Sequence, residues 1–200
     1  MAQPDASSSG YISGKLLVAT PAMTDPRFKH TVIYMCLHDD KGALGLVLNK
    51  ALASPTPAEL FQQLDIDPPT DGDLRFTVWG GPVEPERGFV LHSLDYKRDD
   101  TAAVGGDKLG LTASLEILRD MARGAGPTKA ILALGHSGWA AGQLDRELQE
   151  SGWFVVPADE ALIFDEDYDG KWNRSLAKLG GKLGQLGNDP GTFSSTYGRA

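Results

Sequence analysis

Thr31-Val32-Ile33-Tyr34-Met35-Cys36-Leu37-His38 runs into Asp39-Asp40-Lys41-Gly42, and Ala43-Leu44-Gly45-Leu46-Val47-Leu48 returns from it. The first run is dense in β-branched and aromatic side chains, which fit a pleated, half-buried surface. The residues between supply turn chemistry: aspartates that bond nearby backbone, and a glycine that accepts a positive φ. Two apolar runs around such a turn predict a β-hairpin. A hairpin requires antiparallel pairing, so the sheet is not wholly parallel.

Working outward, Lys15-Leu16-Leu17-Val18-Ala19 reads as a buried strand before a turn-rich connection bracketed by Pro21 and Pro26. Thr56-Pro57-Ala58-Glu59 predicts a helix start, with a threonine cap, proline in the first turn and a glutamate completing a capping box. That short helix reaches about Leu64. Further strands are expected over 75–79, 88–92, 129–134 and 152–156, and the clearest amphipathic helix over 112–123. A second helix should follow Trp139 and end near Gln149, with short helical stretches over 160–164 and 172–179. Residues 1–13 read as a polar, disordered extension, and the tail from about 180 as loosely ordered. Strands and helices mix without strict βαβ alternation. The expected class is therefore α+β, one domain over 14–200.

Composition limits the functions. The 200 residues carry a formal net charge of -8, which repels nucleic-acid phosphates and anionic lipid. No basic recognition helix is visible, so direct nucleic-acid binding is not expected. A single cysteine, Cys36, forbids an internal disulfide and any cysteine-cluster metal site, and suggests a reducing cytoplasm. No window approaches the length of a membrane span, and no membrane association is expected.

Several motifs invite chemistry. Gly135-His136-Ser137-Gly138-Trp139 reads as a strand-to-helix junction, but a nucleophile elbow needs glycine in the fifth position. The plainer expectation is a tight turn, with Ser137 capping or packing. His30, His38, His92 and His136 show no metal-ligand spacing, and ordinary hydrogen-bonding roles are the default. No phosphate-loop or dinucleotide pattern occurs, so no cofactor and no metal is expected. The acidic run Asp165-Glu166-Asp167-Tyr168-Asp169 reads as a solvated loop.

Two segments remain of interest. Gly80-Gly81-Pro82 fixes an unusual backbone path after a strand, and Gln143 and Glu147 lie four apart on one helix face. If they meet, Gly80, Gly81, Pro82, Trp139, Gly142, Gln143 and Glu147 would line a small-ligand groove, with Trp139 as apolar wall. The competing expectation is that the glycines serve close packing and leave no cavity. No catalytic residues are assigned.

In order along the chain, these segments resemble the AlgH/YqgE family of bacterial proteins. The resemblance runs through Gly14-Lys15-Leu16-Leu17-Val18-Ala19-Thr20-Pro21 with Met23 and Asp25-Pro26, then Gly42-Ala43-Leu44-Gly45-Leu46-Val47-Leu48-Asn49. It includes Gly80-Gly81-Pro82-Val83 and Val90-Leu91-His92, and peaks at Gly138-Trp139-Ala140-Ala141-Gly142-Gln143-Leu144-Asp145-Arg146-Glu147-Leu148. Trp172 and Gly198-Arg199-Ala200 also fit. The resemblance implies a branched, largely antiparallel sheet curled into a pseudo-barrel with flanking helices. It implies no catalytic residues; the family name carries a proposed role in transcriptional regulation. Three function classes follow: an interaction or regulatory protein binding a protein partner or small ligand, an enzyme with an unfamiliar site, and a DNA-binding regulator. A structure placing His92 or His136 beside a carboxylate in a cleft would favour the second.

Overall fold

The computed structural model describes residues 11–68 and 77–180. In chain order the elements are β1 (Lys15–Ala19), β2 (Val32–Asp39), β3 (Gly42–Val47), α1 (Pro57–Gln63), β4 (Thr77–Trp79) and β5 (Val83–His92). There follow β6 (Ala102–Val104), β7 (Leu109–Thr112), α2 (Leu115–Ala122), β8 (Ala130–Ala140), α3 (Gln143–Gln149), β9 (Trp153–Pro157), α4 (Glu160–Phe164) and α5 (Tyr168–Ala177). The strands form one sheet in the order β6-β7-β5-β8-β3-β2-β1-β9, with β4 attached to β8. The fold is α+β, a mostly antiparallel sheet curled into a half-barrel with a few helices.

The predicted hairpin is present as β2 and β3, closed by Asp39 opposite Gly42. Its register slips by a bulge between Met35 and Leu37, which adds the bend a curling sheet needs. Asn49 ties the hairpin's base, accepting from the Val32 N–H at 2.8 Å and donating to the His30 carbonyl at 2.8 Å. The helix start at Thr56 carries the expected capping box.

Strand β8 is where the sheet branches. Along one edge it pairs with β5 over His136 to Ala130. Its other partners divide its length: β4 runs parallel to 132–134, and β3 runs antiparallel to 137–140. Side chains from both hairpin strands, from β1, β5 and β9, and from α4 and α5 fill the main core, among them Leu16, Tyr34, Leu46, Leu91 and Ile163. A second core lies behind α3, with Trp139, Leu144 and Trp153. A third lies under α1 and α2, around Phe61 and Ile117. The rest of the expected strand over 75–79, and the N-terminal and C-terminal tails, lie outside the described residues apart from 11–13.

Several local expectations are corrected. Residues 11–13 are packed: Ile12 is buried, and the Ser13 hydroxyl accepts from the His38 N–H at 2.7 Å. Thr112 belongs to β7, and its helix starts at Leu115. β6 and β7 are short strands of mixed composition and gave no clear alternation. The acidic loop is structural. Asp167 caps α5 through the Gly170 N–H at 2.9 Å, and Asp165 pairs with Lys171 at 3.0 Å. The buried Lys171 ammonium donates to the Leu162 carbonyl at 2.6 Å and the Asp165 carbonyl at 3.1 Å, closing the C-terminal end of α4.

Candidate functional site

The largest correction concerns Gly135-His136-Ser137-Gly138-Trp139. No strand-to-helix junction lies there: β8 continues through all five residues to Ala140. An apolar run broken by glycine, histidine and serine mimics a strand end, whereas here the break marks a change of neighbours. Ser137 caps nothing. It is buried in mid-strand, and its hydroxyl donates to the Gly80 carbonyl at 3.3 Å. Helix α3 begins only at Gln143, after Gly142 at φ 66°.

The Gly80-Gly81 turn occupies the fork between β3 and β4. The Gly80 N–H donates to Leu134 of β8 at 2.8 Å, and the Gly80 carbonyl accepts from Val47 of β3 at 2.9 Å. The chain then crosses β8 to join β5 on its other edge. At the crossing a Cβ on Gly80 would stand 2.2 Å from the Gly135 carbonyl oxygen, and one on Gly81 2.2 Å from the His136 carbonyl carbon. Gly135 meets Gly81 in return, with 2.4 Å from its added Cβ to the Gly81 carbonyl oxygen. Backbone lies directly on backbone, and only glycine permits that approach. The two segments thus meet at 135–137, upstream of the predicted contact with the helix start.

Trp139, Gln143 and Glu147 are brought together. The Glu147 carboxylate accepts the indole N–H of Trp139 at 2.9 Å, that of Trp153 at 2.9 Å, and the Gln143 amide N–H at 2.9 Å. The Gln143 carbonyl oxygen accepts from the Ala140 N–H at 3.0 Å, fixing the turn into α3. Trp153, the first residue of β9, completes this corner. Its nearness to Trp139 comes from pairing of distant strands and has no sequence signal. Pro82 follows the crossing and is half-buried.

The histidines differ. His38 accepts the Ile12 N–H at Nδ1, 3.3 Å, which leaves the proton on Nε2, facing Asp145 at 3.6 Å. His92 is fully buried. Its Nδ1 lies 2.9 Å from the Ser93 carbonyl and must donate, so Nε2 accepts from the Thr112 hydroxyl at 3.0 Å. Burial holds its pKa below the ordinary value. His30 packs against Trp172 with ring centroids 4.3 Å apart and the planes tilted by 45°. His136 is the exception: its Nδ1 is buried without a hydrogen-bond partner among the described residues, 3.7 Å from the Glu84 carboxylate. Burial depresses its pKa, opposed by Glu84 and reinforced by Arg87. Glu84, Pro85, Glu86 and Arg87 line a depression of about 420 Å³ that is wide open to solvent, so the His136–Glu84 pair does not lie in the cleft that would favour an enzyme. Elsewhere, burial pushes the Cys36 thiol up to about 12, leaving it unreactive. Among the described residues no group of three histidine, cysteine or acidic side chains could hold a metal ion. No helix among them is long and apolar enough to cross a membrane.

The AlgH-like family model matches residues 16–184. The chain belongs to the AlgH-like family. It is 46% identical over 197 residues to a UPF0301 protein of Methylocella silvestris, covering 95% of this chain and 92% of the relative. A UPF0301 protein of Rhodospirillum rubrum is 45% identical over 192 residues, with 96% and 95% covered. The solution structure of the AlgH protein from Pseudomonas aeruginosa is similar with TM-score 0.74 and 36% identity, over 96% of this chain and 99% of that one. A crystal structure of a Corynebacterium diphtheriae protein shares the fold, with TM-score 0.68 and 20% identity over 84% of this chain and 86% of that one. The curled, largely antiparallel sheet that the resemblance implied is thus the fold shared with the AlgH structure.

Proposed function

We propose that this AlgH-like chain is a cytoplasmic regulatory or interaction protein that binds a protein partner or small ligand and does not contact DNA directly. The observation that carries this reading is the state of Glu147. Its carboxylate is surrounded by two indole N–H groups and an amide, so the polar residues of the candidate groove hold the fold rather than await a reacting atom. A net charge of -8 supports the exclusion of DNA, since phosphate neutralisation supplies most non-specific affinity. One buried cysteine suits the cytoplasm.

A mobility-shift titration with defined duplexes at about 150 mM salt tests the DNA part, and no shift is expected at micromolar protein. Binding at that concentration refutes it. A ligand thermal-shift screen, paired with a native pull-down, tests the binding part. The reading fails if the purified chain turns over a substrate in activity-based profiling while capturing neither partner nor ligand.

A further inference from the structure

We propose that His136, Glu84 and the bare backbone of Gly138 form a binding site for a small, partly apolar ligand that presents a hydroxyl or N–H group to His136 Nε2. The starting point is an imbalance. His136 sits in mid-strand against the Phe89 ring, centroids 5.5 Å apart, with Nδ1 shut off from solvent. Among the described residues the polar group facing Nδ1 is the Glu84 carboxylate, at 3.7 Å. An oxygen acceptor there is favourable only if Nδ1 carries the proton. Nε2 then keeps its lone pair.

Nε2 faces Gly138. A Cβ built on Gly138 would lie 3.6 Å from Nε2 and 3.7 Å from a Val83 methyl, yet Gly138 is exposed. Unlike Gly80 and Gly81, Gly138 has room for a side chain at ordinary contact distance. With only a hydrogen there, Gly138 adds no side-chain cover to the imidazole edge, and the His136 side chain keeps 12% exposure. Among the described residues nothing bonds to Nε2, so the lone pair is available.

The surroundings set the ligand class. Val83 is 39% exposed beside His136, and Leu37 is 50% exposed on the same register row as Leu44 and Gly138. Val83 thus flanks the acceptor directly and Leu37 adds exposed apolar surface two strands away, the mix of apolar surface and few polar groups that small-molecule sites use. Arg87 lies 5.0 Å over the Phe89 ring and pairs with Glu84 at 3.1 Å, partly neutralising the carboxylate. Among the described residues no third metal-ligating side chain joins His136 and Glu84, which leaves fewer ligands than a stable metal site requires. Glu84 itself holds φ 47°, a left-handed conformation uncommon for glutamate, and its carboxylate reaches His136 on β8.

This site lies apart from the Glu147 corner, and it stands or falls independently of the DNA result above. The test uses the full chain. Long-range 1H–15N spectra should show His136 as the Nδ1–H tautomer, and titration with phenol and with N-methylacetamide should give saturable shifts at Val83, His136 and Gly138. Diethyl pyrocarbonate should acylate His136 readily. Gly138→Val, which covers Nε2, should weaken probe binding about tenfold, as expected for one lost hydrogen bond, and slow acylation while leaving the fold's amide spectrum intact. Gly138→Ala should fall between. The proposal is overturned by an Nε2–H tautomer, by probe shifts elsewhere, or by a folded Gly138→Val that binds and reacts like the parent.

Discussion

Trp139 on one face of β8 gives its indole N–H to Glu147, whose carboxylate also accepts from Trp153 and Gln143. His136, three residues earlier and on the other face, has a buried ring nitrogen with no hydrogen bond among the described residues, and a neighbour, Gly138, that leaves its edge open. Both places join a charged or polar group to aromatic rings. The difference lies in hydrogen-bonding capacity. A network with every donor matched fixes a unique geometry, while an unmatched buried atom costs free energy and needs a reason to persist. The satisfied corner is what the family resemblance and the sequence spacing made conspicuous. The unsatisfied rim is the better place to look for a ligand.

The largest effect should come from the crossing that holds the two faces in register. Gly81→Ala would force a Cβ into the β8 backbone at a φ of 152° and should cost about 3 kcal/mol in urea denaturation. A loss below about 1 kcal/mol would mean that the crossing relaxes easily, and the rim geometry would lose its anchor.

Glu147→Ala should come next, at about 2 kcal/mol, because two indole N–H groups lose their acceptor at once. Glu147→Gln keeps one acceptor oxygen and should cost less. Tryptophan emission should shift in both. Equal stability of the parent and Glu147→Ala would place this corner with the rim, as a site with capacity to spare.

A smaller effect should appear with pH. His92 and His136 have folded-state pKa values held below the ordinary 6.5 by burial. As pH falls below 6.5 the unfolded chain binds protons first, so stability should be greatest above that value and decline toward the lower folded-state pKa. The carboxylates held low, such as Asp95 at about 2, act only in a more acid window. Unfolding midpoints at about pH 7.5 and 5.5 measure the histidine part, and His136→Gln should remove a share of the decline. A midpoint that does not fall, or that His136→Gln leaves untouched, would show that the His136 imidazole is not desolvated in the folded chain.

The smallest effect should be at Ser137. Ser137→Ala removes one long hydrogen bond of 3.3 Å and should cost under about 1 kcal/mol. A fluorophosphonate probe should leave the parent protein unlabelled. Stoichiometric labelling lost in Ser137→Ala would make Ser137 a nucleophile and move the chemistry of β8 to its buried face.

Local order was legible because it depends on neighbours in sequence. The hairpin 31–48 announced itself by β-branched runs around an Asp-Gly turn, and the Thr56 helix by its capping box, since both are set within a few residues. The pairing of Gln143 with Glu147 was equally readable, as positions four apart on a helix face must meet. Tertiary structure alone decided what the glycines were for. Gly80, Gly81 and Gly135 are needed where one chain segment crosses another, and Gly138 is not, although the four look alike in sequence. It also decided that Trp153 completes the Glu147 corner and that Glu84 faces His136, contacts made by strands far apart in the chain. Backbone crossing and strand pairing are long-range events, settled by which surfaces the whole sheet buries together, and no local pattern of residues encodes them.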